Sequence, residues 1–169
     1  MTHHPPTDTE LAVLAVRVAA ALLDRQIKVA TAESCTGGYV AKLLTDVPGS
    51  SDWFECGLVT YSNESKQRQL GVSAATLADH GAVSERAVLE MAVGALVASG
   101  AQLAVAISGV AGPDGGTDEH PVGDVWFARA ARHQDDSVGA VAVHRRFSGD
   151  RDAVRRHSAA FTMDLVLEG

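Results

Sequence analysis

The sequence is short of cysteine, of basic residues and of unbroken apolar stretches, and each shortage excludes a class of protein. Cys35 and Cys56 are the only cysteines and do not form a C-x-x-C pair, so neither a disulfide framework nor a zinc knuckle is expected. No apolar run approaches the roughly 20 residues that span a bilayer. The N-terminus lacks the charged-then-apolar layout of a secretory signal, and a cytoplasmic protein is expected. The net charge of −7 lacks the basic excess of a general nucleic-acid binder. Neither nucleic acid nor membrane is therefore expected as a partner. The seven histidines show no metal-ligand spacing, and neither a metal nor another cofactor is expected.

What is present suits an ordinary folded chain. The 169 residues are enough for one domain with a proper core. Residues 1–8 are polar and Pro-rich and read as a loose lead-in, leaving 9–169 as the domain. Leu11, Leu14, Val18 and Leu22 recur at helical spacing. A short strand at 27–32 runs into 33–38, and helical composition resumes over 39–45. A turn cluster at 48–51 precedes a strand at 56–61 and helical pieces at 64–70 and 73–79. Ser84 is placed to cap a longer helix with Val88, Met91, Ala95 and Leu96 inward, and Gly100 ends it. Residues 103–107 form a continuous apolar run of strand length, as expected for a strand covered on both faces.

The segment 109–123 is rich in Gly, Pro and Asp, and such long connections are more often functional than idle. A hairpin at 122–131 and 138–147 follows, then a last helix with Val154, Phe161 and Leu165 on one face. Helix alternating with buried strand predicts an α/β fold, a three-layer α/β/α sandwich. The hairpin strands must run opposite ways, so the sheet is expected to be mixed, mostly parallel, of about five strands with one antiparallel.

Three places carry chemistry. The turn 33–38 (Glu-Ser-Cys-Thr-Gly-Gly) sets hydroxyls and a thiol where free helix amides and the positive dipole end meet. It suits an oxyanion or a phosphate, or simply a helix cap by Ser34 or Thr36. The stretch 60–66 (Thr-Tyr-Ser-Asn-Glu-Ser-Lys) leaves a strand end, where α/β folds place ligand crevices. Taken singly, its Tyr and Lys read as surface residues. The stretch 108–116 puts Ser108 at another strand end, before small residues. Three such places on one sheet edge favour a shared cleft.

The strings A-E-S-C-T-G-G at 32–38, T-D-V-P-G-S-S at 45–51, V-T-Y-S-N-E-S-K at 59–66, H-G-A-V-S-E at 80–85, I-S-G-V-A-G-P-D-G-G at 107–116, P-V-G-D-V-W-F-A at 121–128 and F-S-G-D-R at 147–151 together resemble the CinA C-terminal domain family. The resemblance runs from about residue 9 to 166, in order and at compatible spacing. It implies a nicotinamide-nucleotide amidohydrolase, which converts nicotinamide mononucleotide and water into nicotinic acid mononucleotide and ammonia without a metal. It also implies Ser34 as nucleophile, Tyr61 and Lys66 as the activating pair, and Ser108 as an assisting hydroxyl where many relatives carry Thr. A homo-oligomer, expected as a dimer, follows from the resemblance alone.

The implied chemistry is physically coherent. A serine hydroxyl is a weak nucleophile until a base takes its proton. No histidine lies in the strings near Ser34, which leaves Lys66, provided burial or a positive field lowers its pKa from about 10.4. Amides at the start of the helix after Ser34 are expected to hold the oxyanion. Thr36, Gly37, Gly38, Asn63, Gly109, Ala111, Gly112 and Arg151 are the expected substrate-binding residues. Arg155 and Arg156 are balanced between the site and a solvated helix face paired with Asp150 and Asp152. A Cys35 nucleophile, a non-catalytic nucleotide-binding module and an amidase for another carboxamide remain as alternatives.

Overall fold

A computed structural model describes residues 4–168. Its elements in chain order are α1 (Asp8–Arg25), β1 (Val29–Glu33), α2 (Tyr39–Thr45), β2 (Phe54–Val59), α3 (Asn63–Leu70), α4 (Ala74–His80), α5 (Glu85–Ser99), β3 (Leu103–Gly109), β4 (Asp124–Arg132), β5 (Val138–Arg146) and α6 (Arg151–Leu167). The sheet order is β2-β1-β3-β4-β5. β1 pairs parallel with β2 and β3, and β4 pairs antiparallel with β3 and β5, so β4 alone runs against the rest. The expected mixed α/β sandwich with one reversed strand is what the chain forms.

Strand alternation gives the two sheet faces different characters. Leu103, Val105, Ile107, Val125 and Phe127 pack under α1, α2 and α6. Ala30, Ala32, Ala104, Ala106, Ala128 and Ala130 line the other face under α5. Methyl-sized residues let α5 settle close to the sheet, with Val88, Met91, Ala92, Ala95 and Leu96 buried beneath it. α5 also meets α3, and Gly94 makes that approach possible. A Cβ at Gly94 would lie 1.9 Å from the Leu70 carbonyl oxygen.

Several boundaries differ from the sequence reading, for local reasons. Of the expected lead-in, residues 1–3 lie outside the described residues. Thr7 already closes a capping box with Glu10, so α1 starts at Asp8. β1 begins two residues later than expected, at Val29, and extends to Glu33. β2 is shifted two residues toward the N-terminus, because Ser62 caps α3 and takes 60–62 out of the strand. The turn at 48–51 tightens into a short 3-10 helix, Ser50–Asp52. Ser84 caps α5 and Gly100 ends it in the left-handed conformation, as expected. Among the described residues no helix is long and apolar enough to cross a membrane.

Candidate active site

The C-terminal ends of β1, β2 and β3 lie side by side, and each releases one expected segment. One step beyond the pairs Glu33–Val59 and Glu33–Ile107, Thr60, Ser34 and Ser108 come level across the sheet. Two ladder bonds carry the register past the strand end: the Ser34 amide donates to the Ile107 carbonyl, and the Thr60 amide to that of Glu33.

The turn after β1 is organised by Glu33, whose side chain is fully buried. Its carboxylate accepts hydrogen bonds from the Gly38, Val40 and Ala41 amides at 3.0, 3.1 and 2.8 Å, and from the Thr36 hydroxyl at 2.7 Å. A negative group at the start of α2 satisfies its orphan donors and complements its dipole. Neither Ser34 nor Thr36 caps the helix; Glu33 does. This corrects the expectation that the first amides of α2 hold an oxyanion, since those of Gly38, Val40 and Ala41 are spent on Glu33 and that of Tyr39 on the Thr36 carbonyl. Among the described residues the Cys35 and Thr36 amides donate to nothing. Glu33→Gln, which aims amide hydrogens at backbone donors, is expected to lose about 2–4 kcal/mol of stability, read by urea unfolding.

Lys66 lies on the second turn of α3 and is only 1% exposed. Helical side chains lean toward the N-terminus, and Lys66 reaches back to the segment before its own helix. Its Nζ lies 2.7 Å from the Thr60 carbonyl oxygen, 3.3 Å from that of Tyr61 and 3.0 Å from Ser34 Oγ. Burial pulls its pKa down to about 8. The amine therefore meets the Ser34 hydroxyl directly, with two carbonyls fixing its orientation. Cys35 is buried beside it, and burial pushes its thiol up to about 11, the wrong direction for a thiolate nucleophile.

The remaining expected residues divide. The Tyr61 ring is exposed, and its hydroxyl accepts from Arg151 Nη2 at 3.3 Å, so only its carbonyl touches Lys66. Arg151 Nη1 also donates to the Gly112 carbonyl at 2.8 Å, tying the 109–116 loop to the Tyr61 segment. Ser108 is buried and donates to the Ala82 carbonyl at 2.7 Å, which leaves it lone pairs to offer and fastens the segment before α5. Thr36 is buried on Glu33 and Ala111 in the core, so these two have backbone only to present. Gly37 and Gly38 adopt positive φ within the turn. Gly109 ends β3, where a Cβ would lie 2.6 Å from the Asp124 carbonyl oxygen. Asn63 opens α3 with an exposed side chain.

Two contributors escaped the sequence reading, and a third was left undecided. Glu33 stood inside a quoted string, and a Glu before a helix with no Ser, Thr or Asp at its cap was the available signal. Asp124 is buried, with His120 Nδ1 and His144 Nε2 at 3.1 and 2.5 Å from its two oxygens. A carboxylate only accepts, so both rings donate and pin the return of the 109–123 loop onto β5. The arginine pair separates. Arg156 bonds Asp8 and Asp152 as a solvated face predicts, whereas Arg155 donates to the Thr36 carbonyl at 2.9 Å. Its i, i+4 spacing from Arg151 was the legible sign.

The chain is similar to known proteins over nearly its whole length. The model of the CinA C-terminal domain matches residues 11–169. The nicotinamide-nucleotide amidohydrolase PncC of Escherichia coli (strain K12) is 56% identical over 160 residues, covering 95% of this chain and 94% of that protein. The protein of the same name from Pseudomonas putida is 49% identical over 94% of this chain and 96% of its own length. The crystal structure of the competence/damage inducible protein CihA from Agrobacterium tumefaciens superposes with a TM-score of 0.88 at 38% identity, covering 99% of this chain and 98% of that one. Sequence, sheet order and three-dimensional likeness agree: the chain belongs to the CinA C-terminal domain family.

Proposed function

We propose that this protein hydrolyses the carboxamide of nicotinamide mononucleotide, giving nicotinic acid mononucleotide and ammonia in pyridine nucleotide salvage. The substrate comes from the names of its relatives. The chemistry rests on one observation: a buried lysine amine, shifted to about 8, lies 3.0 Å from a serine oxygen.

As a neutral amine, Lys66 donates to the Thr60 and Tyr61 carbonyls and turns its lone pair to the Ser34 hydroxyl. Ser34 Oγ attacks the carboxamide carbon while its proton passes to Lys66. The resulting ammonium has an acceptor for each of its three hydrogens, namely two carbonyls and Ser34 Oγ. The Cys35 and Thr36 amides hold the developing oxyanion, a contribution worth about 3–4 kcal/mol per donor in favourable sites. Collapse breaks the C–N bond, and Lys66 returns the proton to the departing nitrogen as ammonia leaves. Water then attacks the Ser34 ester, Lys66 takes its proton and passes it to Ser34, and the free carboxylate departs. Ser108 orders the cleft wall through Ala82, and Tyr61 supplies a carbonyl to the base and a ring at the mouth.

Arg151 and the 109–116 loop form the proposed phosphate end, with Asn63 at its rim. A coupled ammonia assay on nicotinamide, its riboside and its mononucleotide tests both parts of the reading. The mononucleotide is expected to be turned over with a kcat/KM at least about tenfold above the riboside, a conservative value for a charge-assisted phosphate contact. Equal turnover of the two would remove the phosphate site, and release from none of the three would remove the substrate.

A further inference from the structure

We propose that Arg155 is a positioning residue, whose guanidinium grips the turn carrying Ser34 and holds it in its attacking orientation. The inference deepens the amidohydrolase reading and rests on Ser34 being the nucleophile.

Arg151 and Arg155 lie one helical turn apart at the start of α6, so they share a face. The first fastens the Gly112 carbonyl, and the second fastens the Thr36 carbonyl at 2.9 Å. Arg155 also lies over the Tyr39 ring, 5.6 Å from its centroid. Its two contacts therefore bracket the turn: one falls two residues after Ser34, the other at the first residue of α2. Its positive field reaches the same turn, where it opposes the rise that burial imposes on the Cys35 thiol.

Alternative uses of this side chain fit less well. Arg155 and Tyr39 border a cavity of 550 Å³ whose other cations, Lys42 and Arg156, are ion-paired. Among the described residues Arg155 has no carboxylate partner, so it is not there to neutralise an acid. Its Nε is buried without an acceptor. A buried donor left unpaired opposes folding, and packing alone does not account for an arginine in this place. What the guanidinium does satisfy is a carbonyl of the nucleophile turn.

The cavity makes the idea directly testable, because it gives a small molecule access to the space the side chain occupies. Ser34 activation is read as the rate at which a fluorophosphonate labels it, with fluoride leaving as Oγ bonds to phosphorus. That rate does not depend on which carboxamide is the substrate, so a wrong substrate assignment leaves this test standing. Arg155→Ala is expected to label about 10–100-fold more slowly, the size of effect seen when a support to reacting groups is lost or a reacting atom is displaced by about 1 Å. Millimolar ethylguanidine is expected to restore most of the rate. With nicotinamide mononucleotide, kcat is expected to fall in step with KM little changed. Arg156→Gln, at the same cavity, is expected to label like the parent.

Arg155→Lys keeps the stem and the charge and guards against simple unfolding. It is expected to label slowly as well, since a compact ammonium does not reproduce the planar grip. Labelling of Arg155→Ala at the parent rate would overturn the proposal, and so would full activity of the lysine variant. A defect confined to KM for the phosphorylated substrate would overturn it too, by making Arg155 a substrate ligand.

Discussion

Ser34→Ala is expected to lower ammonia release from nicotinamide mononucleotide by about ten-thousandfold or more, because no second nucleophile is poised to replace it. The neighbouring thiol is the only chemical substitute nearby, and burial holds it protonated at any pH near neutrality. Cys35→Ala is accordingly expected to keep most of the activity. The fold is expected to survive Ser34→Ala, since among the described residues the Ser34 side chain bonds only to Lys66 and the ladder bond to Ile107 is made by its backbone. Calorimetry of nucleotide binding to the alanine variant provides the companion measurement. Binding without turnover by the parent chain would favour a non-catalytic module.

Lys66→Met is expected to be nearly as severe, about a thousandfold, and its pH behaviour identifies the base. In the proposed mechanism Lys66 works only as the neutral amine, so kcat/KM of the parent should climb about tenfold per pH unit through acid pH and level off above about 8. The residual activity of the methionine variant should lack that limb. The proposed mechanism makes Ser34 and Lys66 one unit, so the double variant should be no worse than Ser34→Ala alone. Additive losses would mean that the two residues serve separate steps.

The same burial acts on stability with a definite sign. The unfolded lysine keeps its proton to about 10.4, whereas the folded one releases it from about 8 upward. Folding therefore carries the cost of a buried ammonium in full below pH 8, and that cost fades as pH rises toward 10.4. Chemical denaturation between pH 7 and 10 should show the parent gaining stability from this group, with no such gain in Lys66→Met.

Most of the architecture was legible because it follows from periodicity and punctuation. The run at 103–107 reads as a covered strand, Ser84 and Gly100 bracket α5, and the hairpin dictates the reversed β4. Boundaries slipped where side-chain caps competed with strand pairing, at Thr7 and Ser62. Ser34 and Ser108 were legible as residues at strand ends, whereas Lys66 reads singly as a surface residue and was singled out by the resemblance; it is buried, and Ser34 and Lys66 do meet. Their supports were not legible, because support is a matter of which atoms are already occupied. Nothing in the string says which amides Glu33 consumes, that Ser108 is bonded to Ala82, or that Tyr61 offers its carbonyl rather than its hydroxyl to the amine. The split between Arg155 and Arg156 has the same origin, since adjacent residues on a helix face different surroundings.

The seat of the Lys66 amine depends on a hydrogen atom far along the chain. Lys66 is held dry by α3, and α3 lies where it does because Gly94 of α5 presents no methyl group to Leu70. Any larger residue at that crossing would prise the two helices apart, admit solvent to the amine and return it toward ordinary lysine basicity. The pH at which this amine gives up its proton is thus written partly in the spacing of two neighbouring helices.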